Sequence, residues 1–371
     1  MKSSVKSLGL RMAAASGLFA AARYCTRRYF RIFAYHGVSS NIEDAVNFDG
    51  FFVRPEVFEA HLRTLKGHYH VMPLGEILRR IHAGETLPDG TAAITFDDGY
   101  ANNLKEAAPL LAKYGLPATF FVTTGFIDGT HEPWWGTLRE RVFSMPDETK
   151  QSLSNVVDRK AVAMAWENKL KNLSASERND TLGQLLLDTQ PGQHRERRWG
   201  DSGSAGASPS IRKQRLFIDL EGEAPAEPFF DADSDTRHAT RDTSSWSMMS
   251  WDEVNALTAQ GHEIGAHTVS HISLGHESME VVSREMAESK ERIREMTGLS
   301  PSVFSYPYGE KEHFSQELAD EVVRHGFIGA VTTLEGMNSA SDNPLLLRRF
   351  NVTGNHDRYA FRALASGLKR W

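Results

Sequence analysis

Two kinds of apolar pattern alternate along this chain. Short unbroken apolar runs read as strands buried on both faces, and stretches with an apolar residue every three or four positions read as helices. Strands are predicted over Arg31–Tyr35, Ala92–Phe96, Ala118–Val122, Glu263–Ala266, Val303–Tyr306 and Phe327–Val331. Helices are predicted over Pro55–Gly67, Leu74–His82, Asn102–Tyr114, Trp251–Gln260, Ser278–Met296 and Ser315–His325. Pro55 suits a first helical turn, and Gly115 stands where the helix before it should stop. Regular strand–helix alternation predicts a largely parallel sheet, open or closed into a barrel.

The alternation lapses over residues 136–249. Its first part, to about Leu187, is polar but helix-like, so 136–189 is predicted to be a helical excursion. Residues 190–247 are rich in Gly, Ser, Pro, Arg, Asp and Glu with little apolar periodicity, the composition of a disordered insertion. Two phrases inside it, Gly203–Pro209 and Gly222–Pro228, are related. One codon choice for the second has a reverse complement that, read one base along, encodes the first. The pair therefore reads as the arms of an inverted DNA repeat within the gene, with low-complexity drift as the alternative.

Residues 1–30 form a third region. No acidic residue precedes Glu43, while Lys2, Lys6, Arg11, Arg23, Arg27, Arg28 and Arg31 are basic. Val5, Leu8, Met12, Ala15, Phe19 and Ala22 recur at helical spacing and predict one apolar stripe. The uncharged run Met12–Ala22 is too short to span a bilayer. A basic amphipathic helix is expected, either in peripheral contact with an anionic membrane or docked on the domain. A secretory leader is the other reading of the same residues. Location is left between cytoplasmic, membrane-associated and secreted.

Composition adds little but excludes several classes. With 371 residues and 40% hydrophobic content, the chain can bury a core of barrel size. A net charge of −6 gives no case for a nucleic-acid partner. A single cysteine, Cys25, rules out an intrachain disulfide and a cysteine-based zinc site.

Three segments carry candidate chemistry. In Thr95-Phe96-Asp97-Asp98-Gly99 a buried strand runs into two carboxylates and a glycine. Adjacent strand residues face opposite ways, so both acids reach one site only if the chain turns, which Gly99 permits. The carboxyl end of a strand is also where α/β folds place their sites. His267 and His271 in HTVSH are four apart, which on a helical turn puts both rings on one face, a metal-ligand spacing. Two histidines and one carboxylate leave a coordination position open, the pattern of a catalytic rather than a structural site. His262 reads as packing or support. In Phe304-Ser305-Tyr306-Pro307-Tyr308-Gly309 a Pro–Gly turn follows a strand, where exposed N–H groups can bind an oxyanion.

Together these motifs resemble the polysaccharide deacetylase family, carbohydrate esterases with a NodB homology domain. Tyr35-His36-Gly37-Val38, Pro117–Val122, Trp134-Trp135 and Met249–Val254 extend the resemblance, which covers roughly residues 31–140 and 248–355. It implies a distorted (β/α) barrel over 31–371, interrupted by the insertion. It implies Asp98, His267 and His271 as ligands of a divalent metal, zinc first, with cobalt, nickel or manganese as substitutes. Asp97 would be the general base, the backbone N–H of Tyr308 an oxyanion donor, and His36 the general acid, as in the exopolysaccharide branch with an N-terminal Tyr-His motif. The implied reaction is hydrolysis of N-acetyl groups on an amino-sugar polymer or glycan of N-acetylglucosamine type, releasing acetate.

Two departures stand out. Ser305 occupies a position where many members carry the arginine that orients the base, and C-terminal Asp-Trp and Leu-x-His motifs of other members are missing. They motivate the alternatives, a catalytically weakened glycan-binding or scaffold member, or a hydrolase of another linear amide. Trp134 and Trp135 are expected either to stack on sugar rings or to lie in the core, and Arg348 and Arg349 to meet acids at the barrel mouth.

Overall fold

The computed structural model describes residues 2–144, 156–188 and 246–368. The predicted insertion, with its paired segments, lies almost entirely outside the described residues. Among the described residues there are ten strands: β1 Arg31–Tyr35, β2 Gly37–Val38, β3 Phe52–Val53, β4 His70–Val71, β5 Thr91–Phe96, β6 Thr119–Val122, β7 Glu263–Ala266, β8 Val303–Ser305, β9 Gly329–Val331 and β10 Phe350–Asn351. The helices before β5 are α1 Lys2–Ala15, α2 Leu18–Cys25, α3 Pro55–His68 and α4 Leu74–His82. Then come α5 Ala108–Tyr114, α6 Thr124–Asp128, α7 Trp134–Ser144, α8 Val156–Leu170, α9 Ala175–Asp188 and α10 Trp251–Ala259. The last three are α11 Met279–Thr297, α12 Gln316–Arg324 and α13 Arg358–Ser366.

Eight strands form one parallel sheet in the order β10-β1-β5-β6-β7-β8-β9, with β4 pairing beside β5. The sheet curls into a half-barrel under its helices. Its two ends are linked by one short segment: Leu347 bridges Val331 of β9, and three residues later Phe350 pairs with Phe33 of β1. The strands are buried along nearly their whole length, as expected for a parallel sheet covered on both faces. The six predicted strands and six predicted helices are all present, most with ends shifted by a residue or two, and one of them differs locally. The segment after Tyr100 starts as a wide π-turn, Asn103–Ala107, before α5 begins, and α5 ends at Gly115 with φ of 59°.

The amino-terminal stripe is not one helix. Gly17 adopts φ of 79° and breaks the segment into α1 and α2. Leu10, Ala13 and Phe19 are the residues that turn inward, packing against Ala363, Tyr359 and Leu368 on and beside α13. Leu8 and Met12 of the predicted stripe face outward. The bend shifts the register of everything after it, so a single 3.6-residue wheel does not describe α1 and α2 together.

Candidate active site

The carboxyl ends of β1, β5, β7 and β8 converge on a cleft of about 320 Å³. Asp97 and Asp98 leave β5 through a γ-turn in which the Gly99 amide donates to the Asp97 carbonyl at 3.0 Å. The turn puts positive φ on Asp98 itself (75°) as well as on Gly99 (97°). Among the described residues only four non-glycine positions have positive φ: Asp98, Thr268, His271 and Tyr308. Each lies in one of the three motifs. Left-handed backbone at such residues costs on the order of 1–3 kcal/mol apiece and persists where the surroundings enforce it.

HTVSH is not helical. It is the loop leaving β7, and Thr268 and His271 bend it through left-handed conformations of 65° and 52°. The His271 amide donates to Thr268 Oγ1, while Val269 N, Ser270 N and Ser270 Oγ all donate to the Glu285 carboxylate of α11. Both imidazoles reach one point through this clamped loop rather than through an i,i+4 helix face.

Asp98 Oδ1 lies 3.4 Å from His267 Nε2 and 3.3 Å from His271 Nε2, and the three ligand atoms are within 4.8 Å of one another. His267 Nδ1 sits 2.7 Å from the Ser305 carbonyl. A carbonyl only accepts, so Nδ1 carries the proton, and in the neutral ring Nε2 offers its lone pair to the cluster. Asp98 Oδ1 is buried and accepts no hydrogen bond. An imidazole lone pair facing a carboxylate oxygen repels it unless positive charge lies between them. A tetrahedral ion with bonds of about 2.0–2.1 Å holds its ligand atoms about 3.3–3.4 Å apart. The donor set therefore fits a divalent cation. Burial alone would raise the Asp98 carboxyl, but the adjoining His267 and His271 rings outweigh it and hold the group well below the usual range. Burial lowers His271.

Asp97 is gripped from another side. Arg349 Nη1 and Nη2 donate to its two oxygens at 2.8 and 2.7 Å, a bidentate pair buried at the sheet closure. Ser305 Oγ lies 3.3 Å from Asp97 Oδ2 and 3.2 Å from Arg349 Nη2. Burial pushes Asp97 up, and the Arg349 charge, with help from His267, more than reverses this and holds the carboxyl below its ordinary value. Position 305 is thus not a gap. A small side chain there leaves space for a guanidinium delivered from beside β10. Arg348, its neighbour, points to solvent.

His36 lines the cleft and stacks on Phe51 with centroids 4.1 Å apart. Burial lowers its pKa, while Asp98 and Asp97 pull in the opposite direction. Tyr308 is the central residue of a second γ-turn, Gly309 N to Pro307 O at 2.7 Å. Its ring crosses the His271 ring edge-on, and its hydroxyl accepts from Trp134 Nε1. Trp134 and Trp135 are both 6% exposed, so they wall the cleft from within instead of standing at its rim. His262 lies at the other end of β7, accepting the Ala118 amide and packing on Phe120.

Sequence reading passed over several residues of the site, Phe51 and Arg178 among them. Phe51 sits under His36. Arg178 of α9 is buried and donates to the carbonyl of His271, with the Tyr308 hydroxyl 3.5 Å away. No periodicity marks an arginine in a polar excursion as a partner of a loop some ninety residues on.

The sequence profile of the polysaccharide deacetylase family matches residues 84–166 and 229–328. YxkH of Bacillus subtilis (strain 168) is 32% identical over 101 residues, 27% of this chain. The match spans only 34% of that relative's own length. Among solved structures, the deacetylase PplD of Streptococcus pyogenes, in complex with acetate, aligns over 92% of this chain and 99% of its own at 16% identity, with a TM-score of 0.55. IcaB from Ammonifex degensii aligns over 91% and 97% at 16% identity, with a TM-score of 0.52. At that identity these two establish a common fold. The profile match takes in all three motifs, whose side chains meet in one buried cluster, and on that footing the chain belongs to the polysaccharide deacetylase family.

Proposed function

We propose that this protein is a metal-dependent deacetylase that hydrolyses N-acetyl groups on an amino-sugar polymer or glycan and releases acetate. The observation that carries the reading is the buried trio of Asp98, His267 and His271, with Asp97 clamped beside it by Arg349. Asp98, His267 and His271 hold a divalent cation, zinc in the first instance. When bound, that ion supplies Lewis acidity for the acetyl carbonyl and its water.

The chain's own groups do the rest. Asp97 takes the proton from the attacking water as general base. Its bidentate partner fixes both oxygens, so one orientation is presented to the cleft. The Tyr308 amide, held in its left-handed turn, donates to the oxyanion that forms on the acetyl oxygen. His36, resting on Phe51, delivers the proton that the departing amine needs. Trp134 and Trp135 keep the wall behind His271 dry, which strengthens each of these interactions. The guanidinium whose loss at position 305 suggested a weakened glycan-binding protein is supplied by Arg349.

Metal titration tests the reading. Purified protein stripped with chelator should bind one zinc per chain, and Asp98→Asn and His267→Gln should each lose that tight site. Acetate release from chito-oligosaccharides should return with zinc or cobalt. A chain that binds no divalent ion and releases no acetate from this or other acetylated sugars is a binding protein. Metal-dependent release from a different linear amide alone would reassign the substrate.

A further inference from the structure

The face built by α1 and α2 is unusual for this molecule. Nine large hydrophobic side chains are strongly exposed among the described residues, and five fall within the first 29 positions: Leu8, Met12, Leu18, Tyr24 and Tyr29. Met12 is 65% exposed and Tyr24 66%. They are left over after α1 and α2 have used Leu10, Ala13 and Phe19 to dock on α13. Scattered exposed leucines need no explanation, but a cluster on one short segment marks a contact surface.

Its charge is one-sided. Residues 1–31 contain seven lysines and arginines and no acid. A groove of about 420 Å³ adjoins the helix pair, lined by Arg63 and His68 of α3 and by Arg358, Tyr359 and Arg362 of α13. Arg11 of α1 lies over the Tyr359 ring, and Arg362 over Phe19 of α2, so groove and apolar face are continuous. Of the nearby acids, Asp89 pairs with Arg27, Glu59 pairs with Arg63, and Asp357 caps α13. No described helix is long and apolar enough to cross a membrane.

We infer that α1, α2 and the α3–α13 groove together form a docking surface for a bilayer carrying anionic lipid. Leu8, Met12 and Leu18 enter the headgroup boundary, the tyrosines sit at its level, and the arginines meet lipid phosphate. Complementary charge argues for this occupant, because each Lys or Arg held near an anionic leaflet adds attraction that falls away within a Debye length. β1 starts a few residues after α2 and ends beside His36, about 16 Å along the strand. The docked surface and the cleft thus lie toward opposite ends of β1, and the cleft stays open to water.

Co-sedimentation of the full chain tests this with vesicles of phosphatidylcholine containing phosphatidylglycerol, against phosphatidylcholine alone. Wild type should pellet with the anionic vesicles and be released by salt. Met12→Glu combined with Leu18→Glu should abolish pelleting, and Arg11→Gln combined with Arg28→Gln should weaken it roughly thirty-fold. Unchanged melting temperatures would establish that these variants still fold. Wild type remaining in the supernatant, or the glutamate variant binding like wild type, overturns the inference. So does light scattering that finds a dimer dissociated by Met12→Glu without vesicle binding, which assigns the face to a second copy.

Discussion

Arg349 reaches Asp97 because Ser305 does not fill the space between them. The two oxygens of Asp97 and the two terminal nitrogens of Arg349 make a buried fork that a lysine does not reproduce. Arg349→Ala should leave Asp97 charged and unpaired, a loss of about 3–5 kcal/mol read in denaturant unfolding. Arg349→Lys should keep more of the stability while turnover falls about a hundredfold, since the base is no longer held in one orientation. Turnover within twofold of wild type would show that Asp97 needs no such clamp. Asp97 and Asp98 stand out in the sequence because a buried strand runs straight into them, although two acids and a glycine alone read equally well as a solvated turn. Arg349 was visible only as one of two adjacent arginines. Which of them turns inward depends on the closure of the sheet, and nothing within a few residues of it encodes that.

Elements decide how the motifs work. His267 and His271 come together as their spacing suggests, but two left-handed residues replace the expected helical turn. Their strain is held by Glu285 from α11 and by Arg178 from α9. Arg178→Ala should lower zinc affinity about 10–100-fold in chelator competition, with far-ultraviolet circular dichroism unchanged. Equal affinity would make α9 a bystander. A second element-level effect concerns pH. His61 on α3 is buried between the Tyr35 hydroxyl and the His356 carbonyl, stacked on Phe361 of α13. Its Nε2–H donates to the carbonyl and its Nδ1 accepts from tyrosine, so the neutral ring is fully satisfied. Burial lowers its pKa from 6.5 to about 4, and His313 is lowered to about 4 by the same cause. The folded state then binds the proton less readily than the unfolded one. Stability is full above about pH 6.5 and is lost as pH falls toward about 4. His61→Gln should flatten the decline of melting temperature across that window, and an unchanged slope would remove His61 as a cause.

At the scale of the whole molecule, the strand–helix alternation was readable because a parallel sheet covered on both faces writes each strand as an unbroken apolar run. Closure was not, since it depends on a single bridge at Leu347 and a two-residue strand. The bend at Gly17 was also missed, and it divides the segment into two helices that each dock one face and expose another. The fold accordingly brings three distant motifs, and an arginine near the carboxyl end, to one buried point. The most direct test of that account is acetate release from chito-oligosaccharides by zinc- or cobalt-loaded protein, comparing wild type with Asp97→Asn at equal metal content. The account predicts that the variant keeps its metal and loses about 10²–10⁴-fold in turnover. Equal rates at equal metal content would contradict it.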